Sequence, residues 1–507
     1  MDETIPRFVH NKLRRWVSIA SACSDCRWYG NGSVDYLGPQ LRSAARIVTG
    51  VGTPKKGCHK SMRTMREVFV WWVRRIFGLI LLPADLRKQM VNFVYSRLGS
   101  RFAGTVDYQA WKAWQTHQDG RAGSKESSGA SKELVAARDG TSCILIVDIY
   151  PPQPDRDAGS RTIMAFIRRF QELGFSVNFW ALAPWYDPNY VQLLEQQGVR
   201  FLGHGKCICL EAWLTQCGSR IRYVLLSRLP VALQCARSLR RYTNATLLFY
   251  GHDISYVRLG LEAKVTRSLL TRFDASLIRR LEHGIWRRVD VILYPSPDEA
   301  AQVRALLPAK PAYSVPAFAI ERFTVDAASN LADRRDILFV GGFGHRPNVD
   351  AASWFAKEIF SRIAQERPDV VWHLVGANPT ADVFALGGPR IRIVGQVSEE
   401  ELSAYYRRCR VVVVPLRFGA GVKGKVVEAC SYGVPVVMTP IGAQGLCGVE
   451  SIAKVAEEPG AFASSVLSLL TDDAAWRRMS AQEVEFVRKR FSIEAMRAGL
   501  EKIVGRG

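Results

Sequence analysis

The stretch VVVVPLRFGAGVKGKVVEACSYGVPVV, residues 411–437, decides how this chain is read. Four valines form an apolar strand, a glycine-bearing turn follows, and helical text begins near Gly424. Gly419 and Gly421 allow the backbone to turn tightly and to approach an anion, so the N–H groups of the first helical turn can point at phosphate oxygens. Val422 lies inside that turn. Lys423 and Lys425 add positive charge at the same end, and Arg417 precedes it. Glu428 stands further into the helix, where a carboxylate can accept hydrogen bonds from ribose hydroxyls while a diphosphate occupies the helix mouth. The pattern implies a nucleoside diphosphate site.

The same residues also satisfy GxGxxG through Gly419, Gly421 and Gly424. A dinucleotide fingerprint needs an acidic residue at the end of the next strand to hold the adenosine ribose. That strand, PVVMTPIG, ends instead in Thr439 and Pro440. A glycine-rich turn with no ligand is the plainer alternative for this segment taken alone.

The run from Pro415 through Lys425, continuing to Glu428-Ala429 and Gly433 to Val437, resembles the donor-site signature of bacterial GT-B glycosyltransferases, of the family 4 group that retains anomeric configuration. The resemblance extends over about Ser142 to Val504. Many members carry a second glutamate eight residues before the helix glutamate, against the donor sugar; this chain has Ala420 there. Many also carry Arg and Lys on the first strand-loop of the donor half, where this chain reads GGFGHRPN, with Gly342 as a donor-loop residue. The implied chemistry is transfer from a nucleotide diphosphate sugar to a glycan or lipid-linked glycan acceptor in cell-surface polysaccharide assembly. The implied fold is α/β, with two doubly wound Rossmann-like domains behind a basic, mostly helical N-terminal extension. A GT-B epimerase acting on a nucleotide sugar, and a non-catalytic scaffold with a degenerate transferase unit, are the rival classes. No cofactor and no divalent metal are expected beyond the donor itself.

Alternation of strands and helices supports that organisation. CILIVDIY, FSVNFWALA, RYVLLS, ATLLFY and DVILYP are apolar runs separated by helical text. A Pro- and Ala-rich passage, 307–335, leads to a second series: DILFVGG, VVWHLVG, IRIVGQ, VVVVPL and PVVMT. The expected divisions are an extension over 1–119, a flexible Gly/Ser-rich linker over 120–141, an acceptor domain over 142–310 and a donor domain over 311–507. The helical text from about Pro459 to Val504 is expected, from the resemblance, to pack back over the domain junction.

Two constellations in the first series carry further expectations. Gly159 and Ser160 open a helix after the first strand and can present N–H groups to an anion; the resemblance places this loop below the donor phosphate. Asp155-Arg156-Asp157 is formally a DxD, a metal-binding pattern in another glycosyltransferase fold, but loop and capping roles account for it. His252, at the end of ATLLFY, matches a family histidine that lies against the donor sugar, and it can donate a hydrogen bond to a sugar hydroxyl. The resemblance thus assigns His252, Lys423 and Lys425 to catalysis. Arg258 and Glu262, four apart, read as a helix ion pair. Glu299 reads as a structural residue at a helix start.

Charge and cysteine usage bound the setting. The 507 residues hold 69 Lys and Arg against 47 Asp and Glu, a net +22, which favours an anionic partner. Residues 1–140 contain 23 Lys and Arg and 11 Asp and Glu, so 12 of those 22 charges lie in the first quarter. Acidic lipid is the expected partner of residues 1–105, without a nucleic-acid role. The aromatic and basic stretch around VFVWWVRRIFGLILLP reads either as an interfacial helix or as a buried one; it falls short of the ~20 residues that span a bilayer. Eleven irregularly spaced cysteines fit a reducing compartment. Zinc on Cys23, Cys26, Cys58 and His59 is a weak alternative, because the second pair is adjacent. The opening MDETIPRFVHNKLRRW has no apolar core of a secretory signal, so a cytoplasmic enzyme, peripheral on the inner membrane face, is expected.

Overall fold

The computed structural model describes Lys112 and residues 142–505, apart from 156–157, 184–185, 203–209, 325–326 and 330. Lys112 apart, the extension, the linker, the Cys23 group and the apolar stretch at 68–83 lie outside the described residues.

Most of the apolar runs become strands buried on both faces, as a parallel sheet between helices requires, whereas the edge run IRIVG is only partly buried. In chain order the strands are β1 (Cys143–Asp148), β2 (Ser176–Ala181), β3 (Arg200–Phe201), β4 (Ile221–Ser227), β5 (Thr246–Tyr250), β6 (Val291–Tyr294) and β7 (Ala312–Ser314). The second series is β8 (Arg335–Val340), β9 (Trp372–Val375), β10 (Ile391–Gly395), β11 (Cys409–Val414), β12 (Val436–Met438) and β13 (Lys454–Val455). The sheets run β3-β2-β1-β4-β5-β6-β7 and β10-β9-β8-β11-β12-β13, and the pairings are parallel. Strand order reverses beside β1 in the first sheet and beside β8 in the second, which places a crevice at the carboxyl ends of each.

Alternate residues of the first sheet feed two cores. Leu145, Val147, Leu247 and Phe249 face one; Ile144, Ile146, Leu248 and Tyr250 face the other. The second core also takes Met496, Leu500 and Val504 from the last helix, Ile493–Val504. The Tyr223 hydroxyl donates to Val504 O at 2.9 Å, so this helix closes the first sheet although it follows the second in sequence. The return expected of residues 459–504 is made by this last helix alone, since residues 459–491 pack into the core of the second half.

Two expectations need correcting. The division at 310/311 cuts too early, because β7 pairs with β6 and completes the first sheet. Likewise, 311–507 is not one domain, since its last helix packs on the first sheet. The chain crosses between sheets at 315–334 and again near 491–493, and the two crossings touch. Ile320 N donates to Phe491 O at 2.7 Å, and Ile320 forms a parallel bridge with Ser492.

Two further features frame the crevice. A helical hairpin, Ser255–Thr266 and Leu269–Arg288, joins β5 to β6. In the second half, buried Glu483 accepts from Val436 N (3.2 Å) and Ser480 Oγ donates to Gly433 O (2.7 Å), fixing the far end of the Gly424–Ser431 helix against β12. No helix among the described residues is long and apolar enough to cross a membrane.

Candidate active site

The Gly424–Ser431 helix starts where the sequence places it, with Lys423 at the N-cap position and no side chain capping that end. Gly419 (φ 152°) and Gly421 (φ 70°) take backbone conformations that disfavour other residues. Gly421 also serves a close approach. A Cβ there would lie 2.8 Å from the carbonyl oxygen of His252 and 3.3 Å from the Asp253 Cβ. A Cβ on Gly424 would come within 2.6 Å of the Phe318 ring, in the connection between the sheets. The glycine turn thus abuts the first half of the molecule, and His252 and Gly421 are brought together across the crevice. Val422 packs beneath the turn, 3.0 Å from where a Cβ on Gly445 would be.

Lys423 is buried, and its Nζ donates to Gly421 O at 2.5 Å. Burial lowers its pKa to about 8, opposed by the Glu299 and Asp253 carboxylates of the first half. Lys425 turns towards β8 and the helix that follows it: Nζ donates to Asn348 Oδ1 (2.7 Å) and lies 4.5 Å from the Phe339 ring centroid. Asn348 in turn donates to Gly342 O at 2.8 Å, so Gly342 joins the site through Asn348. Burial first, and then the neighbouring charge of Lys423, lower Lys425 to about 7. Two poorly solvated ammonium groups at one helix start are poised to gain from a polyanion.

Glu428 is deep in the same crevice. Tyr406 Oη donates to its carboxylate at 3.0 Å, and that ring stacks on Tyr432 at 4.8 Å. Burial raises the Glu428 pKa, while Arg161 opposes the rise from the facing helix. Arg161 follows Gly159 and Ser160 in the first turn of the Ala158–Glu172 helix, so that helix start faces the Glu428 helix. Arg417 is placed differently. Its Nε donates to Asp350 at 2.8 Å, a second nitrogen binds the other carboxylate oxygen, and the guanidinium lies 5.9 Å from the Trp354 ring centroid. Its fork is paired with Asp350.

His252 sits beyond the end of β5. Its Nε2 is 3.1 Å from Ser227 Oγ at the end of β4, and its ring meets Tyr250 edge-on at 5.1 Å. The segment after it is anchored by two carboxylates: Glu299, read from the sequence as structural, and Glu282, which that reading overlooked. Ile254 N donates to Glu299 (3.0 Å), and Ser255 N and Tyr256 N donate to Glu282 (3.3 and 3.4 Å). Desolvation pushes Glu299 up to about 8 and Glu282 up to about 7. At the start of the Pro297–Leu306 helix Ser296 Oγ accepts from Asp298 N and Glu299 N, which leaves the Glu299 carboxylate to hold the His252 segment.

The expected Arg258–Glu262 pair does not form. Arg258 binds Asp253 (2.7 Å), whereas Glu262 reaches Arg346 of the second half (2.8 Å), since tertiary partners outcompete the helical neighbour. Asp155 of the DxD accepts from Tyr190 Oη at 2.8 and 2.9 Å, a loop role. Among the described residues, no group of three or more His, Cys, Asp or Glu side chains is arranged to hold a metal ion. Cys143 and Cys430 are buried thiols, as expected.

Residues 334–472 match the family described as Glycosyl transferases group 1. Sequence similarity to a curated protein is shorter: an uncharacterized 44.6 kDa protein in the cps region of Klebsiella pneumoniae is 28% identical over 117 residues, 22% of this chain. That alignment spans 30% of the relative's length. The fold is similar to sucrose-phosphate synthase from Thermosynechococcus elongatus (TM-score 0.55, 18% identity, 71% of this chain and 98% of that one). It is also similar to Anabaena HepE in complex with UDP and glucose (TM-score 0.52, 14% identity, 71% and 98%). The chain therefore has the two-sheet GT-B fold and carries, over residues 334–472, a group 1 glycosyltransferase domain.

Proposed function

We propose that the protein moves a sugar from a nucleotide diphosphate sugar to an acceptor in cell-surface polysaccharide assembly, with retention of anomeric configuration. The observation that carries this reading is Lys423: an N-cap ammonium, stripped of water, at an uncapped helix start that abuts the His252 segment. A departing nucleoside diphosphate develops negative charge at that position, and helix N–H groups with Lys423 and Lys425 stabilise it without reorganisation. Glu428 holds the ribose. His252, oriented by Ser227, donates to a hydroxyl of the donor sugar. The acceptor attacks from the face the leaving group departs, and a donor phosphate oxygen takes its proton, so the reading requires neither a protein nucleophile nor a metal. HepE, titled as a complex with UDP and glucose, supports the donor class, and the cps-region relative supports the polysaccharide setting. The test is release of nucleoside diphosphate from a panel of nucleotide sugars by the purified chain; no release from any of them, with or without glycan acceptors, overturns the proposal.

Two measurable consequences follow from the site. Glu428→Gln should weaken nucleoside diphosphate binding about tenfold, the scale of one lost charge-assisted hydrogen bond. Calorimetric titration of the product nucleotide checks this, and unchanged affinity removes Glu428 from the ribose. The second concerns pH. A lysine is charged below its pKa, so both ammonium groups are present at pH 6.5, and in the ligand-free protein Lys425 discharges near 7 and Lys423 near 8. A bound diphosphate raises both values, so affinity should fall as pH rises from about 7 towards the bound-state values. Constant affinity from pH 6.5 to pH 9 would count against both lysines as phosphate ligands.

A further inference from the structure

Tyr294 and Glu282, both fully buried, flank the chain segment that carries His252. Ahead of His252, Gly251 lies against the Tyr294 ring: a Cβ there would stand 2.7 Å from Cζ and 2.9 Å from Oη, and Gly251 N donates to Leu293 O at 3.0 Å. After it, Ser255 N donates to one carboxylate oxygen of Glu282 and Tyr256 N to the other. The Tyr294 hydroxyl links the two sides, donating to Glu282 at 3.1 Å while accepting from Trp286 Nε1 at 3.1 Å. Glu282 and Trp286 are four apart on the Leu269–Arg288 helix and so share a face. One buried bracket, built from that helix and the end of β6, therefore grips the chain before and after residues 252–254.

A helix start is ordinarily capped by a serine, threonine or acid at the N-cap position itself. Here that position is Ile254, whose side chain packs in the core, and the acceptors come from a remote carboxylate instead. Burial, reinforced by the Asp253 charge, disfavours a carboxylate at 282 and pushes it up to about 7. What the bracket gains is position. His252 O stands where a Cβ on Gly421 would meet it, and Asp253 faces Lys423, so two contacts with the glycine turn fall within the gripped residues. We infer that Tyr294 and Glu282 are positioning residues for transfer: buried away from donor and acceptor alike, they fix where His252 and Asp253 meet the glycine turn. Both carboxylate oxygens of Glu282 accept, so an amide in its place would turn an N–H group against a backbone N–H. A displacement of about 1 Å at a reacting centre is enough to cost about a hundredfold in rate, which is the leverage such a bracket has.

The effect on rate rests on the transferase reading, so the test has one arm that needs turnover and one that does not. Glu282→Gln, which keeps the size of the side chain, should lower kcat at least about tenfold while donor KM and product nucleotide affinity stay within about twofold, because the diphosphate site belongs to the second half. Hydrogen exchange is the second arm. Amides 421–424 should exchange at least about tenfold faster in the variant, although the side chain at 282 bonds to none of them. Tyr294→Phe keeps the ring and removes only the hydroxyl; it should move both readouts the same way by a smaller factor, and it carries the test if Glu282→Gln does not fold. Parental kcat in the folded variant, loss of kcat and nucleotide affinity in proportion, or faster exchange confined to 251–256 would each overturn the inference. If the parent transfers from no nucleotide sugar, the transferase reading fails by itself, and exchange at 421–424 decides the positioning role.

Discussion

Lys423→Ala is expected to lower transfer by about two orders of magnitude, equivalent to about 3 kcal/mol of barrier, while the protein stays folded. The size follows from where the charge sits. Lys423 is buried at the helix start, so solvent neither screens its effect on a departing diphosphate nor replaces it once removed. Removal also leaves Glu299 and Asp253 without the ammonium that faces them. The folded state tolerates this because Glu299 is already held towards its neutral form and Asp253 keeps Arg258. Steady-state transfer rates with a circular dichroism control decide the matter, and a rate within twofold of the parent removes Lys423 from the leaving-group role. Arg417→Ala supplies the contrast. Its partner is Asp350 and the pair is partly solvent-exposed, so its loss should cost no more than about 1 kcal/mol.

Gly421→Val should be nearly as damaging, by a different route. The position has φ 70°, and an added Cβ would stand 2.8 Å from the His252 carbonyl, well inside contact distance. A β-branched residue there costs about 1–2 kcal/mol of backbone strain and in addition pushes the glycine turn away from the first half. Transfer should therefore fall at least about tenfold, with kcat affected more than donor affinity, because the uncapped helix start survives. Gly284→Ala is the matched control: a helical glycine with open space around it, where substitution should leave transfer unchanged and slightly raise thermal stability. Equal behaviour of the two variants would show that the close approach is not needed for turnover.

What could be read from the sequence follows the range of the interactions concerned. Strands such as β1, β5 and β11 are long apolar runs, and the start of the Gly424–Ser431 helix is written in adjacent residues, so both were legible. β3, β7 and β13 have two or three residues each, too few to show a period, and missing β7 misplaced the domain boundary. The site divided in the same way. Gly421, Lys423 and Glu428 belong to one local motif, whereas Glu282, Asn348, Asp350 and Tyr406 reach it through pairings 22 to 77 residues distant in the chain. Arg258 and Glu262 show the hazard of local rules: spacing predicted a mutual pair, and each found a better partner in the folded molecule. The partner of Arg417 was hidden for the same reason, since only the packed helix at 346–354 brings Asp350 to it.

The two chain crossings at Ile320 and Ser492 have a mechanical meaning. A single strap between two bodies acts as a ball joint and permits twisting in any sense. Two straps hydrogen-bonded side by side act as a door hinge, confining relative motion of the sheets to rotation about one line. Any widening or narrowing of the crevice about that line would then proceed without sliding, and would bring Gly421 back to the same carbonyl and Lys423 to the same pair of carboxylates.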